Sequence, residues 1–101
     1  MFGKRSSNQV LEPPPIASKR DAVEVMRVWV SPGEAQQVTL RTNWSDPAAW
    51  GLLLVDIARH ASLAYEREGR DRAEALARIR KAFDAEWSSP TDAPRDLSDE
   101  T

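Results

Sequence analysis

The feature that most constrains the fold of this 101-residue chain is a strand-forming run that is apolar on both faces. The run AVEVMRVWV, residues 22–30, is rich in β-branched and aromatic residues, which is typical of a β-strand of about eight residues. Alternation places Glu24, Met26, Val28 and Val30 on one face, and Val23, Val25, Arg27 and Trp29 on the other. Because both sets are largely apolar, both faces should be covered by other parts of the protein.

A turn and a second strand follow this run. Residues 36–44, QQVTLRTNW, alternate between an apolar and a polar side, as expected of a strand with one covered face. Between the two runs, Pro32 and Gly33 predict a β-turn, because proline presets φ and glycine tolerates a positive φ. The two runs are therefore predicted to form an antiparallel hairpin.

A first helix is predicted to begin at Asp46-Pro47. Aspartate can accept from free backbone N–H groups, and proline suits the first helical position. Apolar residues then recur at helical spacing from Trp50 onwards, and Gly69 ends the helix. Because Trp44 precedes the helix start, we expect its ring to meet that of Trp50 and to fix the angle at which the helix leaves the hairpin.

A second helix is predicted directly after the first. Asp71, with Glu74 three residues later, resembles a capping box, and Pro90 prevents continuation of the helix. Its apolar positions form one stripe, made of Leu76, Ile79, Phe83 and Trp87. The sequence therefore predicts an α+β fold in which a small β-hairpin is followed by two α-helices (β-β-α-α).

The two ends of the chain differ in composition from the middle. Residues 1–20 are basic and contain Pro13–Pro15, and residues 89–101 are acidic with two prolines, so both are predicted to be flexible tails around a domain at 21–88. The chain has no cysteine, no signal-like start and no apolar run long enough to span a bilayer. These features favour a cytoplasmic location.

The predicted domain is too small to cover all of its own apolar surface. An isolated hairpin is marginally stable and leaves two strand edges open. On the first helix, Leu52, Val55 and Leu63 lie roughly opposite the stripe that begins at Trp50. One account packs one helix face on the sheet and the other on the second helix. The other account, which we favour, is a two-fold homodimer that joins hairpins or buries the extra face.

Asp56 and His60 are the first candidate site residues. They lie four residues apart on the first helix, where a carboxylate can orient an imidazole for proton transfer or ligand binding. A zinc site would need at least one more ligand, which the sequence does not place at a diagnostic spacing. A hydrogen-bonded structural histidine is the simpler interpretation. We therefore predict no catalytic residues, no metal and no cofactor, and keep Asp56 and His60 as a candidate ligand site.

Two arginines complete the candidate set. Arg59 lies on the far side of the first helix from Trp50, where a solvated position or an ion pair with Glu66 or with the second helix is expected. Arg27 alternates with apolar neighbours on the first strand, so if buried it must meet a carboxylate or a ligand anion. The carboxylates considered as its partners are those of Asp56, Asp84 and Glu86.

The charge pattern bears on the class of partner. The net charge is −2, and the cations of the second helix alternate with acids, which is typical of an ordinary solvated face. Nucleic-acid binding is therefore not expected. A non-enzymatic interaction module that binds itself, another protein or a small ligand is the predicted function. The alternative is a small-molecule or metal site, possibly catalytic, built on Asp56 and His60.

Three segments, AVEVMRVWV, DPAAWGLLLVDIARHASLAY and RIRKAFDAEWSSPTD, resemble a family of short, mostly alphaproteobacterial proteins classed as a domain of unknown function. The resemblance covers roughly residues 20–92. It implies a cytoplasmic bacterial protein and supplies no catalytic residues. It also implies that one recurring pattern contains Trp50, Asp56, Arg59, His60, Asp84 and Trp87.

Overall fold

A computed structural model describes residues 9–91 of the chain. A 3-10 turn is followed by two strands and two helices: Pro15–Ser18, then β1 at Met26–Trp29, β2 at Gln37–Leu40, α1 at Ala48–Arg67 and α2 at Arg72–Ser88. This order confirms the predicted α+β fold with its β-β-α-α arrangement. The parts of the predicted tails at 1–8 and 92–101 lie outside the described residues, and the tail boundaries stay predictions.

The hairpin has one apolar and one mixed face. β1 and β2 pair antiparallel, with Met26 opposite Leu40 and Val28 opposite Val38. Directly opposed residues lie on the same side of a sheet, so these four side chains form one surface, which we call the apolar face of the hairpin. The other face carries the pairs Arg27–Thr39 and Trp29–Gln37.

The connecting turn has the predicted geometry. The N–H of Glu34 donates to the carbonyl of Ser31 at 3.1 Å, and Gly33 has a φ of 81°. Proline at the first central position and a positive φ at the second define a type II turn. The strands themselves are four residues each, shorter than the predicted 22–30 and 36–44. Pairing between the strands ends near Arg41. Asn43, with a φ of 48°, then turns the chain towards α1. The beginning of the run at 22–30 therefore has no second strand beside it.

Side-chain and glycine caps define the helices as expected. At the start of α1, Asp46 Oδ1 accepts from the N–H of Ala48 at 2.9 Å. At its end, the N–H groups of Gly69 and Arg70 donate to the carbonyls of Glu66 and Tyr65, each at 3.0 Å, and Gly69 has a φ of 95°. This is a Schellman motif, which a glycine at that position allows without strain.

The start of α2 follows after a short loop at residues 68–71. Asp71 Oδ2 accepts from the N–H of Glu74 at 2.9 Å, which confirms the first half of the predicted capping box. A connection this short makes α1 and α2 antiparallel neighbours. None of the helices in the described range is both long and apolar enough to cross a bilayer.

The contact between α1 and α2 is centred on two small side chains. Within residues 9–91, only Ser62, at 2% exposure, and Ala75, at 6%, are buried. The hydroxyl of Ser62 donates to the carbonyl of Arg59 at 2.7 Å, so its burial leaves the donor satisfied. α1 packs on α2 and β1 pairs with β2, but in the described part of the chain no strand packs against a helix. The account in which one face of α1 rests on the chain's own sheet is therefore wrong.

The cap of α2 gives a direct test of this arrangement. Asp71→Ala removes the acceptor for the N–H of Glu74, and we expect the free energy of unfolding to fall by about 1 kcal/mol. Asp84→Ala is the matched control, because its ion pair with Arg80 is exposed and such pairs contribute about 0.3–0.5 kcal/mol. Both variants should be compared by urea denaturation at one protein concentration. Equal losses would contradict a capping role for Asp71.

Candidate functional site

Asp56 and His60 are adjacent on α1, but their side chains do not form a pair. His60 Nδ1 lies 2.8 Å from the backbone carbonyl oxygen of Asp56. A carbonyl can only accept, so Nδ1 carries the proton in this contact. Both residues are exposed. The structure therefore shows an exposed histidine bonded to its own helix, which is a variant of the predicted structural role.

Arg27 differs from its prediction. Its side chain keeps half of its surface exposed and pairs with Glu24, one Nη lying 2.9 Å and 3.1 Å from the two carboxylate oxygens. The predicted partners Asp56, Asp84 and Glu86 were wrong, because the hairpin does not approach the helices that carry them. Glu24, which lies three positions before Arg27 and just outside β1, was overlooked as a partner, since the run was expected to be buried.

The four candidate residues do not converge on one site. Arg59 is exposed on α1, and Glu66, its considered partner, instead lies 4.0 Å from Arg72. Arg27 belongs to the hairpin, away from the helices. Among residues 9–91, no group of three or more His, Asp or Glu side chains is placed to hold a metal ion. Whether Asp56, Arg59, His60 or Arg27 binds a ligand stays a prediction.

A broad groove lies between the N-terminal segment and the hairpin. It has a volume of about 1260 Å³ and is lined by residues from Gln9 to Ala17 on one side and by β1 with its flanks on the other. Met26 and Val28, from the apolar face of the hairpin, are part of its lining, and Arg27 is also there. Neither Asp56 nor His60 lines it. This groove was not predicted from the sequence. The residues that could have indicated it are Val10, Leu11 and Ile16, which lie in the segment assigned to the N-terminal tail.

A second apolar surface lies at one end of the helix pair. Near the connecting loop, the side chains are engaged: the guanidinium of Arg70 lies over the ring of Tyr65 at 5.4 Å, and Ser62 and Ala75 are buried. At the opposite end, Phe83 and Trp87 stack on each other with ring centroids 5.6 Å apart, and both are exposed. The start of α1 lies at this same end because the helices are antiparallel. We call this region the open end of the helix pair, made of Leu52, Val55, Phe83 and Trp87.

Comparison with known proteins identifies the family. The profile of a domain of unknown function, DUF5076, matches residues 9–91. The chain belongs to the DUF5076 family. This confirms the resemblance to a domain of unknown function that the sequence motifs indicated, and the matched range extends to residue 9, beyond the predicted start of the domain.

A solved structure is similar to this chain in fold and in sequence. It is described as that of "a putative pyruvate dehydrogenase from the photosynthetic bacterium Rhodopseudomonas palustrus CGA009". It is 42% identical to this chain, with a TM-score of 0.71, and the match covers 91% of this chain and 95% of the other. No curated protein matches the chain significantly.

The exposed position of His60 leads to a stability prediction. His60→Ala should change the free energy of unfolding by no more than about 0.5 kcal/mol, because the lost hydrogen bond lies at the surface and alanine favours helix. Ser62→Leu, two residues further along α1, should cost about 1–3 kcal/mol by overfilling the contact with α2. Thermal unfolding of both variants measures the difference. A loss for His60→Ala as large as that for Ser62→Leu would contradict the surface position.

Proposed function

We propose that this DUF5076 chain is an interaction module that acts as a homodimer. The observation that carries the proposal is the separation of hairpin and helices: each keeps an apolar surface that the other does not cover. Monomeric proteins rarely expose extended apolar surface, and large exposed patches mark interaction sites. A second copy of the chain supplies a cover of the same composition and size.

The amount of exposed apolar surface supports a dimer of ordinary size. From β1 to Trp87, twelve large apolar side chains are between 37% and 76% exposed. A large aromatic residue has a surface of about 150–250 Å², so these exposed fractions amount to on the order of 1000 Å². A standard protein–protein interface buries about 800 Å² per partner. One interface of this class would therefore cover most of the surface that a single chain leaves open.

The relative's description offers an enzymatic alternative. Oxidative decarboxylation of pyruvate is chemistry that cofactors carry out, with the protein holding and orienting them. The glycines at 33, 51 and 69 are isolated in the sequence, which does not resemble a phosphate-binding loop. Nothing in the geometry of residues 9–91 favours transfer of the activity to this chain, whereas the apolar surfaces favour binding.

Asp56 and His60 provide the other alternative, a small-ligand site. Ligand sites are concave and enclose most of the ligand, but both side chains stand on the exposed surface of α1, outside the groove. Their position suits a contact with a protein surface better than the capture of a small molecule. The interaction-module proposal therefore includes them as polar rim residues.

Trp87 tests the proposal, because it is 76% exposed in the single chain. We expect sedimentation equilibrium to give the mass of a dimer for the wild type. Trp87→Ala should leave the helix content unchanged and raise the dimer dissociation constant at least about 30-fold. This change corresponds to the loss of about 2 kcal/mol that is typical of a buried interface tryptophan. Lys81→Ala, on the same helix, should change the constant by no more than about twofold, as expected for a charge outside the interface core.

The outcomes separate clearly. A wild-type monomer at high micromolar concentration would overturn the homodimer. A wild-type dimer that Trp87→Ala leaves intact would show that the interface lies away from the end of α2. Circular dichroism on each variant distinguishes loss of association from loss of folding.

A further inference from the structure

We infer that the apolar face of the hairpin in one copy packs on the open end of the helix pair in the other, with the two contacts related by a two-fold axis. This inference rests on the proposed homodimer and specifies which surfaces meet. The occupant of each surface is therefore a second copy of this chain.

The hairpin needs a cover on one side only. Its apolar face contains Met26, Val28, Val38 and Leu40, and two of these, Val28 and Leu40, are 47% exposed. The opposite face carries Arg27, Thr39 and Gln37 alongside Trp29, and polar groups of this kind can remain in water. A two-stranded sheet with one dry face is stable only when that face packs against another layer, and helices are the layer this chain contains.

The helix pair needs a cover at one end only. Leu52, at 75% exposure, and Trp87, at 76%, are the most exposed large apolar residues on the helices. They lie at the open end, whereas at the loop end Tyr65 contacts Arg70 and Glu66 lies 4.0 Å from Arg72. The two most exposed apolar side chains of the helices therefore lie at the same end of the helix pair, where they are available to a second copy.

The connection between hairpin and helices prevents the chain from covering itself. The rings of Trp44 and Trp50 meet edge to face at 5.6 Å, and Asp46 bonds the first turn of α1. Together with the positive φ of Asn43, these contacts hold the corner in a geometry in which, among residues 9–91, no strand packs on a helix. An apolar hairpin that cannot reach its own helices can reach those of another copy.

The groove beside β1 extends the same docking surface. Met26 and Val28 line it together with apolar residues of the N-terminal segment. Its volume of about 1260 Å³ exceeds the about 300–1,000 Å³ of ordinary small-molecule pockets. A groove of this size suits bulky side chains carried by a helix. The stacked rings of Phe83 and Trp87 are side chains of that kind.

A two-fold dimer makes the arrangement self-consistent. In an isologous pair, a contact from hairpin to helices in one direction is repeated in the other. Each copy then has both of its apolar surfaces covered. Pairing hairpin with hairpin and helices with helices is the competing arrangement, and it predicts different neighbours for Val28.

Cross-linking tests the inference on the full chain, which contains no cysteine of its own. In the double variant Val28→Cys/Val55→Cys, a short bismaleimide should join the hairpin of one copy to α1 of the other and give a covalent dimer on a denaturing gel. In the control Thr39→Cys/Val55→Cys, the first cysteine lies on the mixed face of the hairpin, and we expect at least fivefold less covalent dimer. The single variants Val28→Cys and Val55→Cys show how much arises from like-with-like contacts.

Each result has one meaning. A covalent dimer that depends on both Val28→Cys and Val55→Cys supports the inference. A dimer linked equally well by Val28→Cys alone would show that hairpins meet hairpins and would overturn it, and so would intrachain linkage that leaves a monomer band. Sedimentation equilibrium on the unlinked variants separates these cases from failure of the homodimer itself, which would appear as a monomer before any linker is added.

Discussion

The edge-to-face contact between Trp44 and Trp50 determines how the two halves of the chain are related. The rings lie 5.6 Å apart with their planes at 80°, one on the linker and one on the first turn of α1. Such a pair contributes about 0.5–1.5 kcal/mol beyond the area that it buries. Beyond this corner the hairpin leaves the helices instead of folding back on them, so residues 9–91 contain two local units with separate apolar surfaces.

Little of the stability of a single chain can come from its core. The centre of the α1–α2 contact is formed by Ser62 and Ala75, which together bury much less apolar surface than a pair of leucines would. In proteins, most of the stability of a helix comes from the packing of its apolar face and not from its intrinsic propensity. The caps at Asp46, Asp71 and Gly69 therefore define the helices more than the core does. A second copy would supply the missing burial, which links the proposed interaction to the stability of the fold.

The sequence predicted features that depend on near neighbours and missed those that depend on distant ones. The type II turn at Pro32-Gly33, the caps of Asp46 and Asp71 and the Trp44–Trp50 contact follow from residues within a few positions of each other. The predicted partners of Arg27 on the helices were wrong, because they depended on the hairpin lying close to the helices, and its actual partner is the nearby Glu24. The apolar pattern predicted cover at Val28 and Trp87, but both are exposed in the single chain, and a pattern does not tell whether a cover belongs to the same chain or to another.

The separation of the two units also has a consequence for the order in which this protein folds. Both units are closed by neighbours in sequence, the hairpin across residues 30–36 and the helix pair across 68–71, so each has a low contact order and can form quickly. If a second copy covers these surfaces, the remaining apolar surface is buried only in the step in which two chains associate. The slowest phase of refolding would then become faster as protein concentration rises, and nascent chains at low abundance would stay in a half-covered state for longer.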